Sequence, residues 1–193
     1  EKTILMEHIM TPLRRTRDIN DITNQWSINK KIRVSPDEVN KDPFILNLKN
    51  GLYDVRTKEL KKHTPEIITT IQLNANYNPS AKGPVFDKFI NEVVPDPNNR
   101  LLVQEMLGYS ITNFNNAKKV FILEGRGDTG KSTFLNIIED MLCKENISNV
   151  MLQKIGDRFN IAQLYGKVAN IFADLPNTPL TENSTFKALT GAD

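Results

Sequence analysis

The sequence contains few of the residues that build disulfides and zinc sites. It has one cysteine, Cys143, and two histidines in 193 residues. A single cysteine cannot close an internal disulfide, and this supply is too small for a Cys/His zinc cluster. We therefore expect Cys143 to be a half-buried helix residue with a packing role. The same scarcity favours a location in the cytoplasm of a bacterial or other host cell.

Long apolar runs and a strong net charge are absent as well. No stretch approaches the ~18–20 consecutive apolar residues of a membrane-spanning helix, so we expect no membrane partner. The first residues, EKTILMEHIM, carry too many charges for a signal peptide. The net charge of +2 is too small to indicate nucleic-acid binding by itself. Basic clusters at residues 13–17 and 29–33 are typical of solvated helix faces, with phosphate contact as the alternative.

The first part of the chain, residues 1–115, is predicted to be mainly helical with a small β-meander at residues 44–66. Apolar residues alternate there with polar ones, which is typical of strands. Asn50-Gly51 follows, the commonest dipeptide of tight hairpin turns, because both central residues of such turns need positive φ. Apolar residues at helical spacing predict the helices of this part, which fall within residues 1–33 and at 85–94 and 99–111.

The second part, residues 116–193, alternates strand and helix. An apolar strand at Val120–Leu123 leads into a glycine-rich loop, and a helix is predicted at residues 131–143. A second buried strand is predicted at Lys167–Ala173 and a further helix at 183–190. This order indicates the beginning of an α/β domain with parallel strands, so the fold class of the whole chain is predicted as α/β.

The glycine-rich loop carries the most specific motif of the sequence. Gly125, Gly130, Lys131 and Ser132 match G-x-x-x-x-G-K-[ST], the phosphate-binding P-loop pattern. Glycines let the backbone turn sharply and bring its N–H groups to phosphate oxygens, and the following helix directs its positive end at the anion. Lys131 is predicted to contact the β and γ phosphates, and the Ser132 hydroxyl to bind Mg²⁺. The predicted ATP-binding residues are Gly125, Gly127, Thr129, Gly130, Lys131, Ser132 and Thr133.

Within that set, the Thr133 hydroxyl is a candidate contact of the α-phosphate. Thr129 is included for its place in the loop, and no chemistry is assigned to it. A P-loop also needs an acid on a neighbouring strand, which holds Mg²⁺ and orders the attacking water. Asp174 follows the second apolar strand directly and is the predicted acid, with an ordinary strand-end aspartate before Pro176 as the alternative.

From about Phe44 onward the chain resembles the phage- and plasmid-type primase–helicases, which are related to the poxvirus primase–helicase. The segment ILNLKNGLYDVRTKELKKHTPE resembles the opening of their N-terminal domain, and the helices after it resemble the later part of that domain. The blocks VFILEGRGDTGKSTFLNII, RFNIAQLYGKVANIFADLPN and FKALTGAD resemble, in this order, three motif regions of the superfamily-3 helicase module. Residues 1–40 match only loosely.

The resemblance implies an AAA+ motor that assembles as a hexamer, hydrolyses ATP and unwinds origin DNA along a single strand. It assigns catalytic roles to Lys131 and Asp174, and metal binding to Ser132 and Asp174. Ala192 stands where the family often has a second glycine. The family's sensor strand, DNA-contacting hairpin and arginine finger are expected beyond Asp193. The chain is therefore expected to be C-terminally truncated and inactive as a helicase by itself.

Two other functions fit the same motif. A P-loop phosphotransferase would use Lys131 and Mg²⁺ to transfer phosphate to a small molecule, but the sequence offers no arginine-rich lid for it. A non-enzymatic assembly or loading module is the third hypothesis.

Arg158 and Phe159, a basic–aromatic pair expected in a loop, are candidates for contact with DNA or an adjacent subunit. The alternative for them is ordinary packing of Phe159 beside a solvated Arg158.

Overall fold

The computed structural model describes residues 16–29, 34–114, 116–173, 175 and 184–191. The chain divides into two units between Val39 and Asn40. In the first unit, helix α1 spans Thr16–Ile28, and a single 3₁₀ turn lies at Pro36–Glu38. Helix α1 confirms an amphipathic helix within residues 1–33. Most of the two basic clusters lies outside the described residues.

A three-stranded antiparallel sheet begins the second unit. Strand β1 spans Ile45–Leu48, β2 spans Gly51–Asp54 and β3 spans Glu59–Lys61, in the order β1-β2-β3. Alternate residues of β1, Leu46 and Leu48, are buried, because successive side chains of a strand point to opposite faces of the sheet. The predicted β-meander is confirmed.

The first hairpin needs Gly51 for a reason other than the predicted one. The last residue of β1 pairs with Gly51, so Lys49 and Asn50 are the central residues of the turn. Neither has a positive φ, and the expected turn geometry is therefore wrong. A Cβ atom on Gly51 would lie 2.3 Å from the backbone oxygen of Lys61, so only glycine permits this approach of β3. The Asn50 side chain instead binds both backbone groups of Tyr77.

Two helices follow close to their predicted positions. Helix α2 spans Pro84–Val93 and helix α3 spans Pro97–Ser110. Each begins with proline, which is favoured at the first helical position because its missing N–H has no partner there in any case. The Asp96 carboxylate caps α3 by accepting from the Asn98 N–H at 2.9 Å.

The remaining elements alternate helix and strand. They are helix α4 at Lys131–Leu142, strand β4 at Ile147–Ser148, helix α5 at Arg158–Ala162, strand β5 at Ala169–Asn170 and helix α6 at Ser184–Leu189. Strands β4 and β5 pair in parallel. The helices predicted at 131–143 and 183–190 are confirmed. The second predicted strand is shorter than expected, with two residues in place of seven. The fold is thus a mixture of helices and two small sheets.

The strand predicted at Val120–Leu123 is wrong. This segment is irregular, and none of its residues belongs to a sheet. Val120 is 51% exposed and Ile122 is 69% exposed, whereas Leu123 packs against the core. A strand is defined by hydrogen bonds to a neighbouring strand, and no described segment supplies them here.

One hydrophobic cluster extends through the second unit. Its buried members come from the meander, the segment after it, helices α2, α3 and α4, and strand β4 with the residue after β5. They are Leu46, Leu48, Leu73, Ile90, Met106, Phe134, Ile138, Leu142, Ile147 and Ile171. Helix α4 contributes three of them, which brings the helix after the glycine loop into contact with the earlier elements. Among the described helices, none has the length and apolar character needed to cross a membrane.

Candidate functional site

The start of helix α4 is the centre of the candidate site. Gly130 is its N-terminal cap, with φ +83° and ψ 3°, a left-handed conformation that glycine adopts without steric cost. The Gly130 carbonyl accepts the first helical hydrogen bond from the Phe134 N–H at 2.9 Å. No side chain of the described residues caps this end. The first backbone N–H groups of a helix lack intrahelical acceptors, so this end can bind an anion.

Lys131 folds back over the loop that precedes it. Its Nζ donates to the Gly125 carbonyl at 2.9 Å, to the Arg126 carbonyl at 2.6 Å and to Thr129 Oγ1 at 3.2 Å. An ammonium group has three N–H donors, and these contacts employ all of them. The acceptors are neutral oxygens, so the positive charge of Lys131 has no anionic partner among these contacts.

The loop closes on itself in the same region. Thr129 Oγ1 donates to the Arg126 carbonyl at 2.9 Å, and Asp128 has a positive φ of 56°. A Cβ atom on Gly125 would contact only Thr129 and Lys131, and one on Gly127 would contact nothing within 4 Å. The space beside Gly127 is therefore open, and a ligand could approach the backbone there.

A cavity of about 720 Å³ lies beside helix α4. Lys131 and Ser132 are among the residues that line it, and so are Asn170–Ala173. The residue after Ala173 is Asp174, which lies outside the described residues. Its role as the metal-binding and catalytic acid therefore stays a prediction, and so do the roles assigned to the loop residues.

Hydrogen bonds from one side chain hold the two short parallel strands in register. Asn170 Oδ1 accepts from Ser148 Oγ at 2.9 Å and from the Val150 N–H at 2.8 Å. Asn170 Nδ2 donates to the Val150 carbonyl at 2.9 Å. These bonds extend the contact between the two segments from the paired residues to Val150.

Arg158 and Phe159 lie at the start of helix α5, and the loop expected there is wrong. Arg158 and Phe159 are both exposed, and the exposed fraction of Phe159 is 83%. Tyr165, in the turn after the helix, is 88% exposed. Of the two hypotheses for this pair, the alternative of a packed Phe159 beside a solvated Arg158 is wrong for Phe159, because its ring is exposed, and right for Arg158, which is exposed as well. The structure thus presents two aromatic rings and a guanidinium at the surface of the connection between β4 and β5.

Two residues that contact the loop were not predicted as site residues. Phe89 and Val93 of helix α2 lie against Gly130, since a Cβ atom on Gly130 would come 2.7 Å from Val93 Cγ1 and 3.2 Å from Phe89 Cε2. Their helical spacing correctly predicted a shared helix face. Nothing in the local sequence indicates that this face meets a loop some forty positions later.

Two family models match this chain. Residues 2–95 match the family described as "D5 N terminal like", and residues 123–193 match a "Family of unknown function (DUF5906)". A search of the curated proteins gives no match. The first match supports the N-terminal part of the resemblance to phage and viral primase–helicases, and with it a context of DNA replication. The two matches lie on either side of the predicted boundary at residues 115 and 116, which stays a prediction.

Proposed function

We propose that this chain is the ATP-binding part of a DNA helicase subunit, which uses ATP hydrolysis to unwind DNA when a phage or mobile element begins replication. The observation that carries the proposal is the start of helix α4. There a helix end without a side-chain cap among the described residues follows an open glycine loop, Lys131 contacts neutral oxygens of the described residues, and Lys131 and Ser132 line a cavity. The similarity of residues 2–95 to the D5 N-terminal family supplies the replication context.

The loop residues would bind the triphosphate as follows. Backbone N–H groups of Lys131, Ser132 and Thr133 donate to phosphate oxygens, because the helix leaves them without acceptors. The Lys131 ammonium exchanges its carbonyl partners for phosphate oxygens, which are charged and therefore stronger acceptors. The Ser132 hydroxyl and the Asp174 carboxylate would hold Mg²⁺, which would supply positive charge beside the phosphates. Asp174 also orients the attacking water.

The exposed surface of helix α5 supports DNA as the second ligand. Bases of single-stranded DNA stack on aromatic side chains, and guanidinium groups bind phosphates or stack on bases. Phe159, Tyr165 and Arg158 present these groups to solvent. A phosphotransferase acting on a small molecule has no use for this surface. Assembly as a hexamer, the usual state of such motors, belongs to the same proposal.

The decisive variant is Lys131→Ala, with Lys62→Ala as its control because Lys62 is an exposed lysine in the meander region. We expect Lys131→Ala to weaken binding of a fluorescent ATP analogue with Mg²⁺ by at least an order of magnitude, since hydrogen bonds to charged groups contribute about 1.5–3 kcal/mol each. The control should bind as the unaltered chain does. Circular dichroism and thermal unfolding show whether both variants are folded.

A second arm of the experiment separates the motor from its alternatives. Labelled single-stranded DNA should bind the unaltered chain and bind more weakly to Phe159→Ala, because loss of one stacking partner costs about 1–3 kcal/mol. Equal nucleotide affinity of Lys131→Ala and the control would refute the nucleotide site. Nucleotide binding without any DNA binding would favour the phosphotransferase.

A further inference from the structure

We propose that helix α2 is a positioning element for the glycine loop, through contact of Phe89 and Val93 with Gly130. The inference rests on the proposed function, because it concerns how the loop is held ready for a triphosphate. It assigns a role in nucleotide binding to residues that lie in the part of the chain similar to the D5 N-terminal family, outside the P-loop pattern.

The contact is close and falls at the end of the loop. Phe89 and Val93 are one helical turn apart, so both side chains lie on the same face of α2. Against Gly130 they leave no room for a Cβ atom, which would lie 2.7 Å from Val93 Cγ1. A Cβ atom on Gly125 would approach only Thr129 and Lys131, and one on Gly127 would contact nothing within 4 Å, so neither glycine touches helix α2. The loop is thus open to solvent along its length and braced at the residue where helix α4 begins.

Helix α2 is itself held firmly. Ile90, between the two contact residues, is buried in the hydrophobic cluster. The Arg100 guanidinium donates through Nη1 to the Val94 carbonyl at 2.9 Å and to the Pro95 carbonyl at 2.7 Å, which fixes the chain just after the helix. Because helix α2 is anchored in this way, its contact with Gly130 restricts where Gly130 can lie.

The opposite end of helix α4 is held by the same region of the chain. The Asn74 N–H donates to the Met141 carbonyl at 2.9 Å, and Asn74 Nδ2 donates to the Asp140 carbonyl at 3.0 Å. Asn146 Nδ2 bridges the Gln72 and Leu142 carbonyls at 2.8 and 2.7 Å. Residues 72–93 therefore contact α4 at both ends. Helix α4, whose amides would bind phosphate, and its N-cap Gly130 consequently have a defined place relative to residues 72–93.

The test compares three variants of helix α2. Val93→Ala removes the atoms that touch Gly130, and Val93→Thr keeps their shape. Ile90→Val alters a buried residue of the same helix whose atoms are not among the three nearest to a Cβ atom on Gly130. Two quantities are measured: affinity for a fluorescent ATP analogue with Mg²⁺, and hydrogen exchange of the backbone amides in residues 125–134.

We expect Val93→Ala to weaken nucleotide binding several-fold and to speed amide exchange in the loop, and Val93→Thr to restore both. Ile90→Val should lower the midpoint of urea unfolding without either local effect. If Val93→Ala and Ile90→Val change loop exchange equally, or neither changes it, helix α2 has no positioning role and the inference is wrong. If no variant and not even the unaltered chain binds nucleotide, the proposed function fails, while the exchange measurement still decides whether α2 braces the loop.

Discussion

At the residue scale, Asp54 shows how one ion pair shapes the meander. It is only 8% exposed, and the Arg56 guanidinium donates to its two carboxylate oxygens, through Nε and Nη2, at 3.0 Å each. The same guanidinium reaches Asp42 and lies 5.3 Å from the centre of the Phe44 ring. Hydrogen bonding to Arg56 lowers the pKa of Asp54 from 3.8 to about 2.

Because of this shift in the pKa of Asp54, the stability of the second unit depends on pH. A carboxyl group whose pKa is lower in the folded state stabilises the fold above its unfolded pKa, and that stability is lost as the pH falls through the folded value. We therefore expect the urea midpoint of the unaltered chain to drop between pH 4 and pH 2, the window set by the two pKa values of Asp54. Asp54→Asn should show a smaller drop and a lower midpoint at pH 7.

The exposed Glu59 provides the control for this measurement. Its side chain is 64% exposed and lies 3.8 Å from Lys61, so its ion pair is screened by water. Glu59→Gln should retain the acid dependence of the unaltered chain. An identical pH profile for Asp54→Asn would show that other carboxyl groups cause the acid sensitivity.

At the element scale, the local pattern of apolar residues predicted most helices and the meander. Helix α4 buries three residues at helical spacing, helices α2 and α3 each bury one residue and pack half-buried neighbours against the core, and β1 buries alternate residues, because these periods are intrinsic to each structure. The glycine-rich pattern likewise identified the loop and the helix that follows it. Such signals depend on neighbours in the sequence alone.

Features that depend on distant neighbours were not predictable in the same way. The apolar run at Val120–Leu123 has strand composition but no described strand beside it. Gly51 matches a turn pattern, yet it is needed for the approach of Lys61. The contact of Val93 with Gly130 joins residues that are far apart in the chain. In each case the deciding partner is set by tertiary packing.

Asn146 connects two elements of the second unit, and we expect its substitution to lower the stability of the fold. It is 6% exposed and satisfies the carbonyls of Gln72 and Leu142, which joins the segment after the meander to the end of helix α4. Asn146→Ala leaves these carbonyls without their donor and should lower the free energy of unfolding by about 1–3 kcal/mol. Urea unfolding followed by circular dichroism measures this loss.

Asn76→Ala is a matched control for Asn146→Ala. Asn76 lies in the segment after the meander, as Asn74 does, and its side chain is exposed. Exposed substitutions without such contacts usually change stability by no more than about 0.5 kcal/mol. A loss for Asn146→Ala no larger than that for Asn76→Ala would mean that the bridge between Gln72 and Leu142 contributes little to the fold.

At the scale of the whole second unit, the hydrophobic cluster joins the meander to the glycine-loop helix. Leu46 and Leu48 of β1 belong to the same cluster as Phe134, Ile138 and Leu142 of α4. The free energy gained by burying apolar side chains is roughly proportional to the area removed from water. Elements that share a core therefore gain stability together. A ligand on the loop should therefore stabilise residues that lie far from it in sequence.

Nucleotide binding should accordingly protect strand β2 as well as the loop. A ligand that binds only the folded state adds about 2.7 kcal/mol at a concentration 100 times its dissociation constant. In hydrogen exchange with an ATP analogue and Mg²⁺, we expect the Leu52 amide, which lies in the pairing of β2 with β3, to slow by nearly as much as the Phe134 amide. Lys131→Ala with the same nucleotide should show neither effect. Slower exchange at Phe134 alone would mean that the meander opens independently of helix α4, since a shared unfolding reaction requires that both amides respond to the ligand.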